Sequence, residues 1–276
     1  MTWMLQASPC PSLRMLPEAE SVPPDSASTL TPAYMRTVDL PAPASALVIA
    51  AHPDDAEFNC GATLAKWAAT GAVIHYLICT DGAKGAWDPD CDQAELVRTR
   101  QIEQRAAAGA LGARGEVCFG NHVDGELDSD LRTRAEVTQV IRRLRPAVVL
   151  GHDPWKRYRL HPDHRHAGLL AVEGVVAARD PFFFPEQGLA PHRPDELLLF
   201  EADEPDHAED VDGWTGTKTA ALLCHRSQYV TTHGISDPSD AAGEQRFADW
   251  VEAVAAASGQ QAGLLCAELF KRIDGV

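Results

Sequence analysis

The sequence predicts an α/β protein, a single domain on a mainly parallel sheet, and three observations carry that expectation. Short apolar runs alternate with segments of helical length from about residue 46 to residue 200. Two of the helical segments stop at a glycine, where helices commonly end. The chain has 276 residues, 45% of them hydrophobic, enough to fill one core. Strands separated by single helices form βαβ units, and their crossovers should be right-handed.

The elements follow in order. Residues 1 to about 33 are rich in Pro, Ser and small polar residues, lack periodicity and read as a disordered tail or as upstream sequence from a misplaced start codon. The domain is expected over 34–276. Residues 46–51 read as a buried strand and 60–70 as a helix closed by Gly71. A second strand is expected at 73–79. A long helix follows at 93–111, with Leu96, Ile102, Ala106, Ala110 and Leu111 near one face and Gly112 at its end. Then come a short strand at 116–119, a helix at 131–144 and a strand at 147–151. Another helix should start at Pro162 or Asp163, because proline suits the first helical turn. Residues 196–200 read as a strand, 201–210 as an acidic solvated loop, and about 214–224 as a helix. The last 35 or so residues read as one more helix and an amphipathic end near 264–273.

Composition excludes some classes of function. A formal net charge of −16 disfavours non-specific binding to nucleic acid or to an anionic membrane. The seven cysteines are odd in number and form no C-x-x-C pair, which suits reduced thiols better than a disulfide framework. Cys79 and Cys118 fall in expected buried strands. No run approaches membrane length, and the first 30 residues lack a basic start followed by an apolar stretch. The expectation is a cytoplasmic protein with a small-molecule partner, no nucleic acid and no membrane. A homo-oligomer is compatible with it.

Two short motifs carry the chemistry. His52-Pro53-Asp54-Asp55 directly follows the apolar run 46–51, and His161-Pro162-Asp163-His164 follows the run 147–150. Each offers imidazole and carboxylate within four residues, stiffened by proline. Ligands of open α/β sheets bind beyond the carboxyl ends of the strands, where both motifs should lie. The glycine fingerprint of a dinucleotide site and the Walker A motif are both missing. A catalytic zinc site takes three protein ligands and keeps one place for water. His52, Asp55 and His164 can fill the three places. Asp54 is then free to face the open side as a base. His161 can face the same cavity and stabilise an oxyanion or protonate a leaving amine. Asp163 can hold a nitrogen of His161 or of a ligand histidine. The plainer reading of Asp54, Asp55 and Asp163 is helix capping. It explains each motif alone better than it explains the pair, since polar residues clustered where a sheet opens are costly to bury without a ligand.

These motifs resemble the LmbE-like, or PIG-L, family of metal-dependent N-deacetylases. The resemblance spans roughly 45–273. It is strongest at Ala51-His52-Pro53-Asp54-Asp55 with Gly61-Ala62-Thr63-Leu64-Ala65, and at Asp153-Pro154-Trp155 leading to His161-Pro162-Asp163-His164-Arg165. It implies a Rossmann-like three-layer fold and removal of an N-acyl group, foremost N-acetyl, from an amino sugar or related metabolite. It further implies a Zn2+ cofactor, with Fe2+ as the alternative, held by His52, Asp55 and His164. Asp54 matches the general base, His161 the histidine that stabilises the transition state, and Asp163 its acidic partner. Arg100 resembles a substrate-contacting arginine of the family; without that resemblance it reads as part of a solvated helix face. Two departures stand out. Ala56 separates the paired aspartates from Glu57, and Arg159 holds the place of a carbonyl-polarising tyrosine, with Tyr158 one residue before it.

Other residues carry weaker readings. Asp124 sits in a loop and offers either a sugar-hydroxyl contact or an ordinary turn aspartate. His152 and Asp153 end a strand near the expected site, as outer support or as a loop brace. His225 reads as structural and His75 as a satisfied core histidine. Rival functions are an amidase acting on a thiol conjugate or glycopeptide acyl chain, and a non-catalytic sugar-binding module.

Overall fold

Apolar residues alternate between the two faces of a strand only if both faces are covered, and the central strands here show that pattern. The computed structural model describes residues 35–276, so the expected tail at 1–33 lies outside the described residues. The strands are β1 (Thr37–Val38), β2 (Ser45–Ala50), β3 (Val73–Thr80), β4 (Val117–His122), β5 (Val148–His152), β6 (Glu196–Phe200), β7 (His207–Asp210) and β8 (Ala267–Asp274). The helices are α1 (Asp55–Ala69), α2 (Gln93–Ala110), α3 (Leu131–Leu144), α4 (Pro162–Arg179), α5 (Thr215–Leu222) and α6 (Ala241–Ala262). A short 3-10 turn at Arg226–Gln228 runs into a π-helical turn at Tyr229–His233.

One sheet holds all eight strands in the order β1-β7-β8-β6-β5-β2-β3-β4. The five strands β2 to β6 pair parallel, and only β8 runs antiparallel, between β6 and β7. Val48 and Ala50 of β2 face a core built with Leu64 and Trp67 of α1 and Ala107 of α2. Leu47 and Ile49 face the other layer, with Ile141 of α3 and Leu170 of α4. The result is the expected three-layer fold. The chain leaves β2 toward β3 and β4, then returns to place β5 on the other side of β2. That reversal opens a crevice at the carboxyl ends of β2 and β5, where both motifs emerge. None of the described helices is long and apolar enough to cross a membrane.

Three boundaries differ from expectation. Helix α1 starts at Asp55, not at residue 60, and kinks at Cys60, where φ is −143°. The kink frees backbone donors in mid-helix. Buried Glu268 accepts from the N–H groups of Ala62 and Thr63 and so caps the second half. Strand β7 lies inside the acidic run read as solvated loop, and β8 replaces the amphipathic end. Both were hidden by buried charge. Glu209 of β7 pairs with Lys66 at 2.6 Å, and Glu268 of β8 pairs with Lys218 at 2.7 Å. Cys79 is buried as expected, whereas Cys118 is only partly so.

Candidate active site

The first turn is held from several sides. The His52 N–H donates to Asp55 Oδ2 at 2.8 Å, which folds the carboxylate back over the turn. Asp54 takes a left-handed backbone, with φ 88° and ψ −27°. Arg100 of α2 is buried beneath it and donates to the Pro53 carbonyl at 2.7 Å and the Gly82 carbonyl at 2.9 Å. Its NH2 also lies 3.4 Å from Asp54 Oδ2. Arg100 is thus no solvated helix face.

The second turn caps α4, with His161 at the N-cap and Pro162 in the first turn. Asp163 is fully buried and accepts from the N–H groups of Gly125 at 2.6 Å and Leu127 at 3.2 Å. Its Oδ2 also lies 3.1 Å from His52 Nε2. Asp163 therefore partners His52, and among the described residues it makes no hydrogen bond to His161, the partner the family resemblance implied. The His161 ring stands 4.6 Å from that of His52 and 5.0 Å from that of His164. It is solvent-exposed and without a side-chain hydrogen bond among the described residues.

His52, Asp55 and His164 come together. His52 Nδ1 lies 3.3 Å from Asp55 Oδ2, and His164 Nε2 lies 3.4 Å from Asp55 Oδ1. An ion bound at roughly 2.0–2.2 Å to each donor in tetrahedral geometry needs donor separations of about this size. Three overlapping sets of donors have all their atoms within 4.8 Å of one another: His52–His161–His164, His52–Asp124–His161–Asp163 and Asp55–His152–His164. The predicted ligands straddle the first and third sets.

The electrostatics fit a cation. Burial works against a charged His52, yet hydrogen bonds to Asp124, Asp163 and Asp55 outweigh it and push its pKa up to about 12. Three carboxylates around one imidazole are an excess of negative charge that a metal would balance. Burial, reinforced by His152 and His52, pushes His164 down to about 4, leaving it neutral as a ligand must be. Burial opposes ionisation of Asp55, but His164, His152 and His52 hold it well below the usual carboxylate range. Burial raises Asp54 to about 6, although Arg100 and His225 pull the other way. The donor set and its surroundings fit a divalent metal.

The cavity in front of these groups holds about 470 Å³. His52, Asp54, Asp55, His161 and His164 line it together with Phe58, Asn59, Gln228 and Thr232. Arg100 and Asp124 also border it. Asp124 Oδ1 sits 3.3 Å from His52 Nε2, and Asp124 Oδ2 accepts from the Lys84 N–H at 2.9 Å.

Comparison with known proteins identifies the chain's relatives. Residues 47–175 match the PIG-L family, described as GlcNAc-PI de-N-acetylase. The diacetylchitobiose deacetylase of Thermococcus kodakarensis is 36% identical over 188 residues, 66% of this chain and 69% of that protein. The chain belongs to the PIG-L family. The 1D-myo-inositol 2-acetamido-2-deoxy-alpha-D-glucopyranoside deacetylase of Streptomyces avermitilis is 33% identical over 166 residues, 51% of this chain and 56% of that protein. The chain thus matches little more than half the length of that relative. The solved structure of the N,N'-diacetylchitobiose deacetylase from Pyrococcus horikoshii superposes with a TM-score of 0.75 at 29% identity, covering 84% of this chain and 85% of that one. GalB of Pseudomonas putida, a 4-carboxy-2-hydroxymuconate hydratase, superposes at 0.66 with 25% identity over 84% of this chain and 97% of that one.

One residue of this PIG-L site, Glu201, was misplaced by the sequence reading, and the structure decides between the readings of several others. Glu201 was assigned to solvated loop, yet it borders the cavity and accepts from His152 Nδ1 at 3.0 Å and Arg159 at 2.7 Å. Burial opposes its charge, but His152 and Arg159 hold its pKa near 2. Its position directly after a parallel strand beside β5 was the available signal. His152 is fully buried and reaches Asp55 Oδ2 with Nε2 at 3.4 Å, so it supports the site from behind. Asp153 braces its loop through the Trp155 N–H at 2.9 Å. Tyr158 is 91% exposed, whereas Arg159 is buried and places NH1 3.3 Å from His164 Nδ1. His75 accepts from the Glu116 N–H at 2.9 Å and is half-buried.

Proposed function

We propose that the protein is a metal-dependent N-deacetylase acting on an N-acetylated amino sugar or a related small metabolite. One observation carries this reading: His52, Asp55 and His164 converge in the wall of one cavity, with the Asp54 carboxyl beside them. The activities named for the two relatives, on diacetylchitobiose and on an acetamido-deoxyglucoside, supply the substrate class.

His52 Nδ1, the Asp55 carboxylate and His164 Nε2 would hold the metal. Zinc is the first choice and Fe2+ the alternative; when bound, the ion is a Lewis acid that polarises the amide carbonyl and acidifies water. Asp54 takes the proton of the attacking water. His161 faces the cavity without another hydrogen-bond partner among the described residues, so it can donate to the developing oxyanion. It or Asp54 returns a proton to the leaving amine. Asp163 fixes His52 through Nε2, which aims Nδ1 at the ion. Phe58 offers a ring face, and Asn59, Asp124, Gln228 and Thr232 offer polar groups, a mixture suited to a pyranose. Arg100 borders the same space from beneath Asp54. The acidic surface and free cysteines fit a cytoplasmic enzyme with a small-molecule substrate.

The test is metal analysis of the purified protein, then measurement of acetate and free amine from N-acetylglucosamine and diacetylchitobiose. Acetate and amine in equal amounts are expected. Metal-loaded protein that releases acetate from no N-acetylated amine refutes the reading. Release of a larger acid from a thiol conjugate or an N-acyl glycopeptide, without acetate release from either sugar, would favour the amidase instead.

A further inference from the structure

We infer that Gln104 and Glu57 are positioning residues that fix the base Asp54 through its backbone; the inference rests on the deacetylase reading above. Asp54 carries φ 88°, a left-handed conformation uncommon outside glycine, and such a residue persists only where its surroundings over-determine it. Its N–H donates to Gln104 Oε1 at 3.0 Å. Gln104 Nε2 donates in turn to Glu57 Oε1 at 2.8 Å. Glu57 belongs to the first turn of α1, and the Phe58 N–H in that turn donates to the Asp54 carbonyl at 3.0 Å. The contacts close a ring: Asp54, Gln104, Glu57 and back through the helix start to Asp54.

The chemistry of the ring gives each member a role. An amide side chain can present either its oxygen or its nitrogen to a neighbour. The Glu57 carboxyl accepts from the Gln104 NH2, which leaves the amide oxygen for the Asp54 N–H. A flipped amide would set one donor against another. The second Glu57 oxygen lies 3.5 Å from His225 Nε2, an ion-pair distance, and neither atom makes a hydrogen bond among the described residues. Gln104, Glu57 and His225 are all fully buried, and none of them lines the cavity. They cannot touch substrate. They can decide where the Asp54 carboxyl points, because Asp54 is the residue at which α1 and the turn meet. Glu57, displaced by one position from the family's short motif, thereby gains a function. Gln104 was not singled out in the sequence, and His225 read only as structural.

Gln104→Met keeps length and bulk but loses both hydrogen bonds. Its kcat should fall roughly ten- to hundredfold, the scale expected when a reacting group is misplaced by about an ångström, while KM and metal content stay near native. Glu57→Gln keeps an acceptor oxygen for Gln104 and should retain kcat to within about threefold, whereas Glu57→Met should behave like Gln104→Met. Amide exchange of the Asp54 N–H, read by NMR, should be at least about tenfold faster in Gln104→Met. A packing role alone would lower the melting temperature of both Met variants and leave kcat and the Asp54 amide as they were, and that result overturns the inference. If the native protein releases acetate from no N-acetylated amine, the deacetylase reading fails on its own, and the Asp54 amide still decides whether the brace exists.

Discussion

The turn at 52–55 and the turn at 161–164 carry similar residues, yet the fold treats them differently. In the first, His52, Asp54 and Asp55 are each at most 7% exposed, and backbone and side chains are tied from α1, α2 and α4. In the second, Asp163 is buried and tied back to the first turn, His164 is half-buried, and His161 is exposed. The first turn is a frame. The second lends that frame one support, Asp163, and the proposed ligand His164, and leaves the His161 imidazole on the open side. Fixed charge belongs in the frame, where burial raises its strength, and the group that must respond to substrate belongs on the open side.

The strongest way to break this comparison is to remove a ligand from each turn. His52→Ala and His164→Ala should each abolish stoichiometric metal binding, measured by elemental analysis after dialysis. His52→Ala should be the worse folded, because it strands Asp163 and Asp124 beside an empty space. Retention of metal by both variants would refute the assignment, because each of the three overlapping donor sets contains His52 or His164.

Next in size are the groups assigned to chemistry. Asp54→Ala and His161→Ala should keep the metal and lose about a hundredfold or more in kcat, as for a positioned base or an oxyanion donor. The difference between the turns predicts a further contrast. Asp54→Ala removes a frame residue with a partner at 3.4 Å in Arg100, so its melting temperature should move. His161→Ala touches no hydrogen bond among the described residues and should melt like the native protein. Near-native turnover of metal-loaded Asp54→Ala would remove it as the base.

Asp163→Asn separates the two partners once open to that carboxylate. With Asp163 on His52 Nε2, metal affinity should fall about 10- to 100-fold, the usual effect of losing a carboxylate behind a ligand histidine. If affinity held and only kcat fell, the carboxylate would be serving His161 during turnover.

Much of this was legible in the sequence, for identifiable reasons. The strands β2, β5 and β6 are buried along nearly their whole length and read as short apolar runs, and 131–144 and 196–200 were placed to the residue. The paired turns were legible because parallel strands deliver their ends to one crevice. What escaped depended on partners distant in sequence. Glu209 and Glu268 look like surface charge until Lys66 and Lys218 are brought to them. Glu201 looks like the start of an acidic loop until β5 and β6 lie side by side and His152 meets it. Gln104 sits on a helix face that no periodicity marks as buried, since what it satisfies is a backbone N–H of another element. Local pattern predicts elements well, and pairwise neutralisation between elements much less.

The smallest expected effect concerns the loop that leads into the second turn. The family's tyrosine position holds Arg159 here, and Tyr158 is the neighbour that could substitute. Arg159 points inward and donates to Glu201, so it steadies the wall behind His164 and does not face the cavity. Tyr158 is 91% exposed, has φ 57° and does not line the cavity either. An exposed phenol with no hydrogen bond among the described residues contributes little to a fixed site, so Tyr158→Phe should change kcat/KM by less than about twofold on an N-acetylated sugar. The hydroxyl is the only group removed, which makes the result easy to read. A loss of tenfold or more would require residues 153–161 to fold inward over bound substrate and deliver the phenol to the carbonyl. The second turn would then be a closing element as well as an open one, and its contrast with the rigid first turn would be larger than the distances alone convey.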